Sequence, residues 1–338
     1  MSGARRSGRE LDEDDVRSRP GRGSRPRTRE RPEHADAVDA VVVAVDRGRY
    51  TCRRVLPDGW ADPAGAAVAA IRGGDLRRVP VVVGDRVALV GDVSGDPGAL
   101  ARMVRRTERT SVLRRTADDT DPTERPIVAN ADRLVIVAAL ADPPPRTGLI
   151  DRCLVAAYDG GLDPVLCLTK ADLAGDEELR DLYRPLGVTI VTSRPELDPV
   201  GLRALVADRV SVFFGHSGVG KSTLVNRLVP DAEREIGHVN VVTGRGRHTS
   251  SAAVALPVPG GGWVVDTPGV RSFGLGAVSL ARVLAAFEEL AEAAADCPPG
   301  CTHADGLADC ALDEAVRAGR ADGARLASLR RLLAARGG

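Results

Sequence analysis

The octapeptide Gly215-His216-Ser217-Gly218-Val219-Gly220-Lys221-Ser222 constrains this chain more than any other stretch. It fits Gly-x4-Gly-Lys-Ser, a loop that wraps phosphate groups and has to join a buried strand to a helix. Both flanks comply: the apolar Val210-Ser211-Val212-Phe213-Phe214 precedes it and the helical run 223–228 follows. The glycines let successive N–H groups face one anion, and a helix N-terminus adds partial positive charge. Lys221 would reach the outer phosphates and Ser222 would ligate magnesium, with Thr223 carrying the binding segment into the helix.

The surroundings match. From Pro126 onward, apolar strands alternate with amphipathic helices: strands at 133–140, 164–168, 188–191 and 263–266, with helices at 148–157 and 176–183. Leu149, Ile150, Leu154 and Val155 share the inner side of the first helix. Such βα alternation calls for a mostly parallel sheet covered on both faces. Hydrophobic content is 43% with only 3% aromatic, so the cores have to be built from Val, Leu and Ala.

Three further motifs sit at strand ends. Thr169-Lys170-Ala171-Asp172 matches the guanine-reading Asn-Lys-x-Asp pattern: Asp172 would accept from the ring N–H and amine that adenine lacks, and the Lys170 stem would pack on the base. Thr169 replaces the usual Asn, an exchange expected to weaken contacts to the base and the phosphate loop. Asp266-Thr267-Pro268-Gly269 would hold magnesium through water at Asp266 and sense the γ-phosphate at the Gly269 N–H. Between it and the phosphate loop, the polar stretch 244–251 contains Thr249, placed to complete the magnesium shell. Singly, these strings also read as a strand-to-helix turn, a β-turn and a surface loop. Together they supply the separate parts of one GTP site. Among 47 basic residues, the only lysines are Lys170 and Lys221, both inside these motifs. A compact ammonium on a flexible stem is not interchangeable with an arginine fork.

The motif order is unusual, because Lys170 precedes Gly215. Conventional GTPases place the phosphate loop first, so the domain is read as circularly permuted, which preserves a fold whose old termini lie close together.

On either side the composition changes. Residues 1–35 form an Arg-rich tail without apolar periodicity, read as disordered, that either touches nucleic-acid phosphates or only solubilises. Residues 36–116 carry short Val-rich runs, including 40–45, 50–55 and 79–90, that suit an OB-type β-barrel. The segment is locally basic through Arg53, Arg54, Arg72, Arg77, Arg78, Arg86 and six further arginines between 102 and 115. Those side chains make either an RNA-binding face or a solvated rim. Residues 117–277 hold the permuted GTPase motifs, and 278–338 read as a helical zinc-binding domain. There, helical periodicity over 279–295 leads to Cys297, Cys301, His303 and Cys310, the composition of a closed structural zinc shell, followed by two helices over 311–335. Net charge is zero, so any preference for a polyanion has to be local. With no apolar run near the ~18 residues of a membrane span and no secretion signal, a cytoplasmic protein without a membrane partner is expected.

Collectively, these residues resemble the circularly permuted, small-ribosomal-subunit-dependent GTPases of the RsgA or YjeQ family. The resemblance runs from about Val38 to the carboxyl end and includes Val83-Gly84-Asp85-Arg86-Val87, 126–132, the permuted motifs, Gly246-Arg247-His248-Thr249 and the cysteine cluster. The cluster's Cys-x3-Cys-x-His-x6-Cys spacing differs from the family's by one residue in its first and last gaps. The resemblance implies a monomer that hydrolyses GTP to GDP and phosphate with Mg2+, carries Zn2+, and binds the 30S subunit and its 16S rRNA late in maturation. Hydrolysis would be stimulated by the subunit and coupled to release. Val270 stands where many GTPases carry a water-positioning glutamine, and the resemblance implies that His248 serves instead, alongside Lys221 and Thr249. The competing readings are a general P-loop ATPase and an RNA-binding scaffold with a vestigial nucleotide site.

Overall fold

Short Val-rich runs separated by turn residues build five strands at the start of the fold: β1 (Val38–Asp46), β2 (Arg49–Arg54), β3 (Val68–Arg72), β4 (Arg86–Gly91) and β5 (Ala101–Arg106). The structure, a computed structural model, describes residues 34–118, 121–232, 253–267, 278–307 and 309–336. β1 pairs with both β2 and β4, and β3 runs parallel to β5, so the order β1-β2-β3-β5-β4 closes on itself as an OB-type barrel. An irregularity in the β1–β2 register between Val42 and Ala44 bends β1 so that it can serve both neighbours. The run 79–90 does not continue as one strand, since Pro80 lacks a donor and Gly84 takes φ +88°; only its second half enters β4.

β1 is buried on both sides. Ala40 and Val42 point into the barrel with Tyr50, Cys52, Leu89 and Met103, while Val41 and Val43 pack into a second core shared with the following sheet. A hairpin of β6 (Val112–Asp118) and β7 (Asp121–Ala129) connects the two. Its Arg, Asp and Glu content gives little alternation, so sequence reasoning does not find it.

The central sheet contains β8 (Arg133–Ala139), β9 (Asp163–Thr169), β10 (Thr189–Thr192), β11 (Val210–Phe214), β12 (Val254–Pro257) and β13 (Trp263–Asp266) in the order β10-β9-β8-β11-β13-β12. All neighbours are parallel except β12, which is antiparallel to β13. Strand alternation assigns the faces: Leu134, Ile136, Ala138, Val212, Phe214 and Val265 enter one core, and Val135, Val137, Ala139, Phe213 and Val264 the other. Helix α1 (Thr147–Gly160) packs in the first core; α3 (Val200–Val206) and α4 (Lys221–Leu228) cover the second. Helix α2 (Glu177–Tyr183) links β9 to β10.

After β13 come α5 (Leu280–Ala285), α6 (Glu288–Ala294), α7 (Ala311–Arg317) and α8 (Gly323–Arg336). The helical periodicity over 279–295 resolves into two helices, because the chain leaves helical geometry at Phe287, whose fully buried ring packs edge-on against Tyr158 of α1 at 6.2 Å. Helix α8 is tied to α1 by Arg331 Nε, which donates to the buried Asp151 carboxylate at 3.0 Å.

The barrel meets the sheet through backbone. Ala129 N donates to Val83 O at 2.9 Å, and Asn130 Nδ2 donates to Gly84 O at 2.8 Å. Two residues on, Asp132 Oδ2 accepts from Val210 N at 2.7 Å, at the start of β11. The adjacent Asp85 is fully buried and accepts from Arg109 Nε at 2.7 Å, Arg109 Nη2 at 2.8 Å and Val82 N at 2.8 Å. A buried carboxylate needs such pairing, so Arg109 is withdrawn from the basic exterior.

A Cβ on Gly84 would overlap the Ala129 carbonyl oxygen, and the φ of +88° is itself unfavourable for an L side chain. Gly84→Ala is expected to lower unfolding free energy by roughly 2–4 kcal/mol in a urea titration. Gly260→Ala, at φ +91° but with open space around the Cβ, should cost only about 1 kcal/mol.

Candidate functional site

Strand β11, buried along its whole length, delivers the glycine-rich loop to the centre of the sheet. Gly215 lies so close to β8 that a Cβ would stand 2.7 Å from the Val137 carbonyl oxygen. Gly218 and Gly220 take φ of +86° and +87°, turning the backbone through the loop, while Val219 anchors it in the second core. Ser217, Gly218, Ser222 and Thr223 are exposed, and the His216 ring stays beside its own loop, with Nδ1 2.8 Å from Ser217 O. Lys221 opens α4 and its ammonium meets the Asp266 carboxylate at the end of β13. Next to it, Thr267 Oγ1 donates to Phe213 O at 2.8 Å, fixing the end of β13 against β11.

The Thr169–Asp172 turn arrives from the other side of β8. Thr169 Oγ1 donates to Val219 O in the loop at 2.6 Å and is buried. The threonine hydroxyl thus reaches the loop carbonyl itself. Lys170 takes φ +56° and its ammonium donates to Asp142 O, while Asp172 is exposed. Ser193, after β10, holds this turn through Ser193 N to Leu168 O at 2.7 Å and Ala171 N to Ser193 O at 3.4 Å. No motif marks that serine, which becomes a neighbour of the turn only through the pairing of β9 with β10. His248, Thr249, Gly269 and Val270 lie outside the described residues, as does the Arg-rich tail up to residue 33.

The residues present fit a nucleotide: Gly218 and Gly220 turn the loop backbone, a cation and a carboxylate meet beside it, and the serine after the lysine is open to solvent. Those are the donor types for phosphate and Mg2+.

Near the carboxyl end, ligand atoms of Cys297, Cys301, His303 and Cys310 lie within 4.8 Å of one another. His303 Nδ1 is 3.6, 3.5 and 3.8 Å from the Cys297, Cys301 and Cys310 sulfurs. A tetrahedron with zinc–sulfur bonds of about 2.3 Å and a zinc–nitrogen bond of about 2.0 Å has edges of roughly this length. Burial, and then the charge of Arg330, hold the His303 imidazole below its ordinary pKa range, favouring the neutral ring that ligates metal. Among the described residues this is the one Cys/His cluster with metal-binding geometry. Cys52, Cys153 and Cys167 are instead buried apart, and burial raises the Cys167 thiol to about 12.

The family model described as RsgA GTPase matches residues 106–276. A small ribosomal subunit biogenesis GTPase RsgA from Pseudomonas aeruginosa is 40% identical over 263 residues, 75% of this chain and 75% of its own length. The chain belongs to the RsgA GTPase family. A protein of the same description from Azotobacter vinelandii is 39% identical, over 75% of this chain and 74% of its own length. Solved structures share the fold: YjeQ from Thermotoga maritima has a TM-score of 0.62 at 24% identity, covering 89% of this chain and 99% of its own. YloQ, described as a circularly permuted GTPase, has a TM-score of 0.61 at 22% identity, covering 91% and 97%. As an RsgA GTPase the chain is a GTP hydrolase, and membership implies use of GTP and Mg2+. No described helix is long and apolar enough to cross a membrane.

Thr169→Val removes the hydroxyl that satisfies Val219 O, costing about 1–3 kcal/mol of loop order. GTP affinity measured by calorimetry is expected to fall about 10-fold and to recover in Thr169→Ser; an unchanged Kd would show that the loop stands without this bond. For the metal cluster, native mass spectrometry should find one zinc per chain and none in Cys310→Ser.

Proposed function

We propose that the chain is an assembly GTPase of the small ribosomal subunit, binding the 30S particle late in maturation and leaving it when GTP is hydrolysed. The observation that carries the proposal is the hydrogen bond of Thr169 to Val219, which joins a guanine-type turn to a phosphate loop that follows it in the chain. The relatives' description as small ribosomal subunit biogenesis GTPases supplies the partner class. The working division is a tail over 1–35, a barrel over 36–116, the permuted GTPase over 117–277 and a zinc domain over 278–338.

In this reading Asp172 accepts from guanine while Lys170 packs on the base, with Thr169 bracing the turn. The backbone of Gly215, His216, Ser217, Gly218, Val219 and Gly220 surrounds the phosphates, continued by Lys221, Ser222 and Thr223. Lys221, paired with Asp266 in the structure, exchanges that carboxylate for phosphate oxygens. Ser222, Thr249 and, through water, Asp266 would hold Mg2+, which neutralises charge developing on the transferred phosphate. Gly269 N–H reports the γ-phosphate. With apolar Val270 unable to orient water, His248 takes that role.

The barrel's outward arginines, including Arg54, Arg77, Arg78, Arg102 and Arg105, offer phosphate contacts to 16S rRNA. The protein works as a cytoplasmic monomer, with zinc holding the carboxyl-terminal domain in shape.

Turnover of GTP and ATP, each with and without purified 30S subunits, tests this. GTP should be hydrolysed in preference to ATP and faster with subunits present. Equal use of ATP, or indifference to the subunit, would remove the proposal. His248→Ala should keep its GTP affinity and lose stimulated hydrolysis by about 100-fold, the scale of a lost water-positioning group.

A further inference from the structure

Arg330 lies on α8, well separated in sequence from the cysteine cluster, yet it is bound to that cluster's supporting backbone. Its Nε donates to the carbonyl of the ligand residue His303 at 3.1 Å. Its Nη1 donates to Asp305 Oδ1 at 3.1 Å, on the loop between His303 and Cys310. The two ends of the guanidinium fork also grip Asp313, with Nη1 to Oδ1 at 2.9 Å and Nη2 to Oδ2 at 2.7 Å. Asp313 lies in the first turn of α7, directly after the ligand Cys310, and Ala311 N at the start of that helix donates to Cys297 Sγ at 3.3 Å. One planar side chain, 14% exposed, thus holds the backbone of one ligand and the helix that follows another.

The arrangement answers a local difficulty. His303 takes φ +56°, a left-handed conformation uncommon for residues other than glycine, and its ring has to face three sulfurs at once. The bond to its carbonyl fixes the peptide plane from which the ring projects. Groups behind metal ligands orient the ligands and set how readily the metal leaves. We infer that Arg330 is a positioning residue of the metal centre, holding His303 and the start of α7 so that the four ligands close on zinc. This rests on the reading of the cluster as a zinc site.

The test follows zinc release from the full-length protein to an excess of a chromophoric chelator under native conditions. Release should be about 10-fold or more faster in Arg330→Met, within the range for lost support behind a ligand. Arg330→Lys should stay fast, because an ammonium cannot bond His303 O and both Asp313 oxygens in one plane. Asp313→Asn should also accelerate release, and it carries the test if Arg330→Met does not fold. Asp151→Asn is the control: it breaks the Arg331 pair on the same helix, so it should lower thermal stability and leave the release rate unaltered. With cobalt in place of zinc, the ligand-field bands should change in Arg330→Met but not in Asp151→Asn. Unchanged release in Arg330→Met and Asp313→Asn overturns the inference, as does equal acceleration by Asp151→Asn. Wild-type protein that binds no zinc would instead overturn the metal reading on which it rests.

Discussion

A loop that offers its own backbone to an anion cannot hold itself open, so everything around residues 215–220 has to be rigid. That rigidity comes from β11, which has parallel neighbours on both sides and a packed core on each face. Val219 adds an apolar anchor inside the loop. Thr169 then ties the loop to the end of β9, and Thr267 ties the end of β13 to Phe213. The Thr169–Asp172 turn, the glycine-rich loop and the end of β13 are thus held by neighbours two strands apart or fewer. Their chain order has no influence on those distances, which is why a permuted sequence can make the same site.

The second constraint is the joint between barrel and sheet. It uses Gly84, Asn130 and Asp132 rather than a broad hydrophobic patch alone, and each of its bonds has a main-chain carbonyl or amide on at least one side, met at Asn130 and Asp132 by a short polar side chain. Val41 and Val43 add apolar contact from the outer face of β1. Because Asp132 also fixes Val210 at the start of β11, the barrel is connected to the strand that carries the phosphate loop.

At the carboxyl end, α8 distributes three arginines to three tasks. Arg325 pairs with Glu289 and donates to Pro185 O at 2.9 Å, Arg331 pairs with Asp151, and Arg330 supports the cysteine cluster. In composition these look like an ordinary basic helix. Their partners lie on α6, on the turn after α2, on α1 and on the cluster, so the helix secures the cluster to the GTPase core by directional bonds. Arg331 also lies 5.3 Å from the Tyr183 ring centroid, adding cation–π contact.

Much of this was legible in the residues. The Gly-x4-Gly-Lys-Ser spacing demanded a strand before and a helix after it, because only that context aims the amides, and β11 and α4 supply both. The continuous apolar run 133–140 called for a strand covered on both faces, and the Cys/His types named the zinc-like cluster, because thiolate and imidazole chemistry does not depend on fold. The β6–β7 hairpin escaped, since Arg, Asp, Glu and Thr interrupt any apolar alternation along 112–129. The break at Phe287 escaped too, because helical periodicity is unaltered by a residue that turns inward to meet Tyr158. Tertiary structure alone decided which polar groups became partners. A threonine that looked like a weakened asparagine reaches the phosphate loop, and arginines that looked like a basic surface are committed to Asp85, Asp151 and His303. The sequence determined the chemistry each segment can perform through its residue types and spacings; only the fold could decide which donor meets which acceptor, because those distances are created when the separate strands and helices pack.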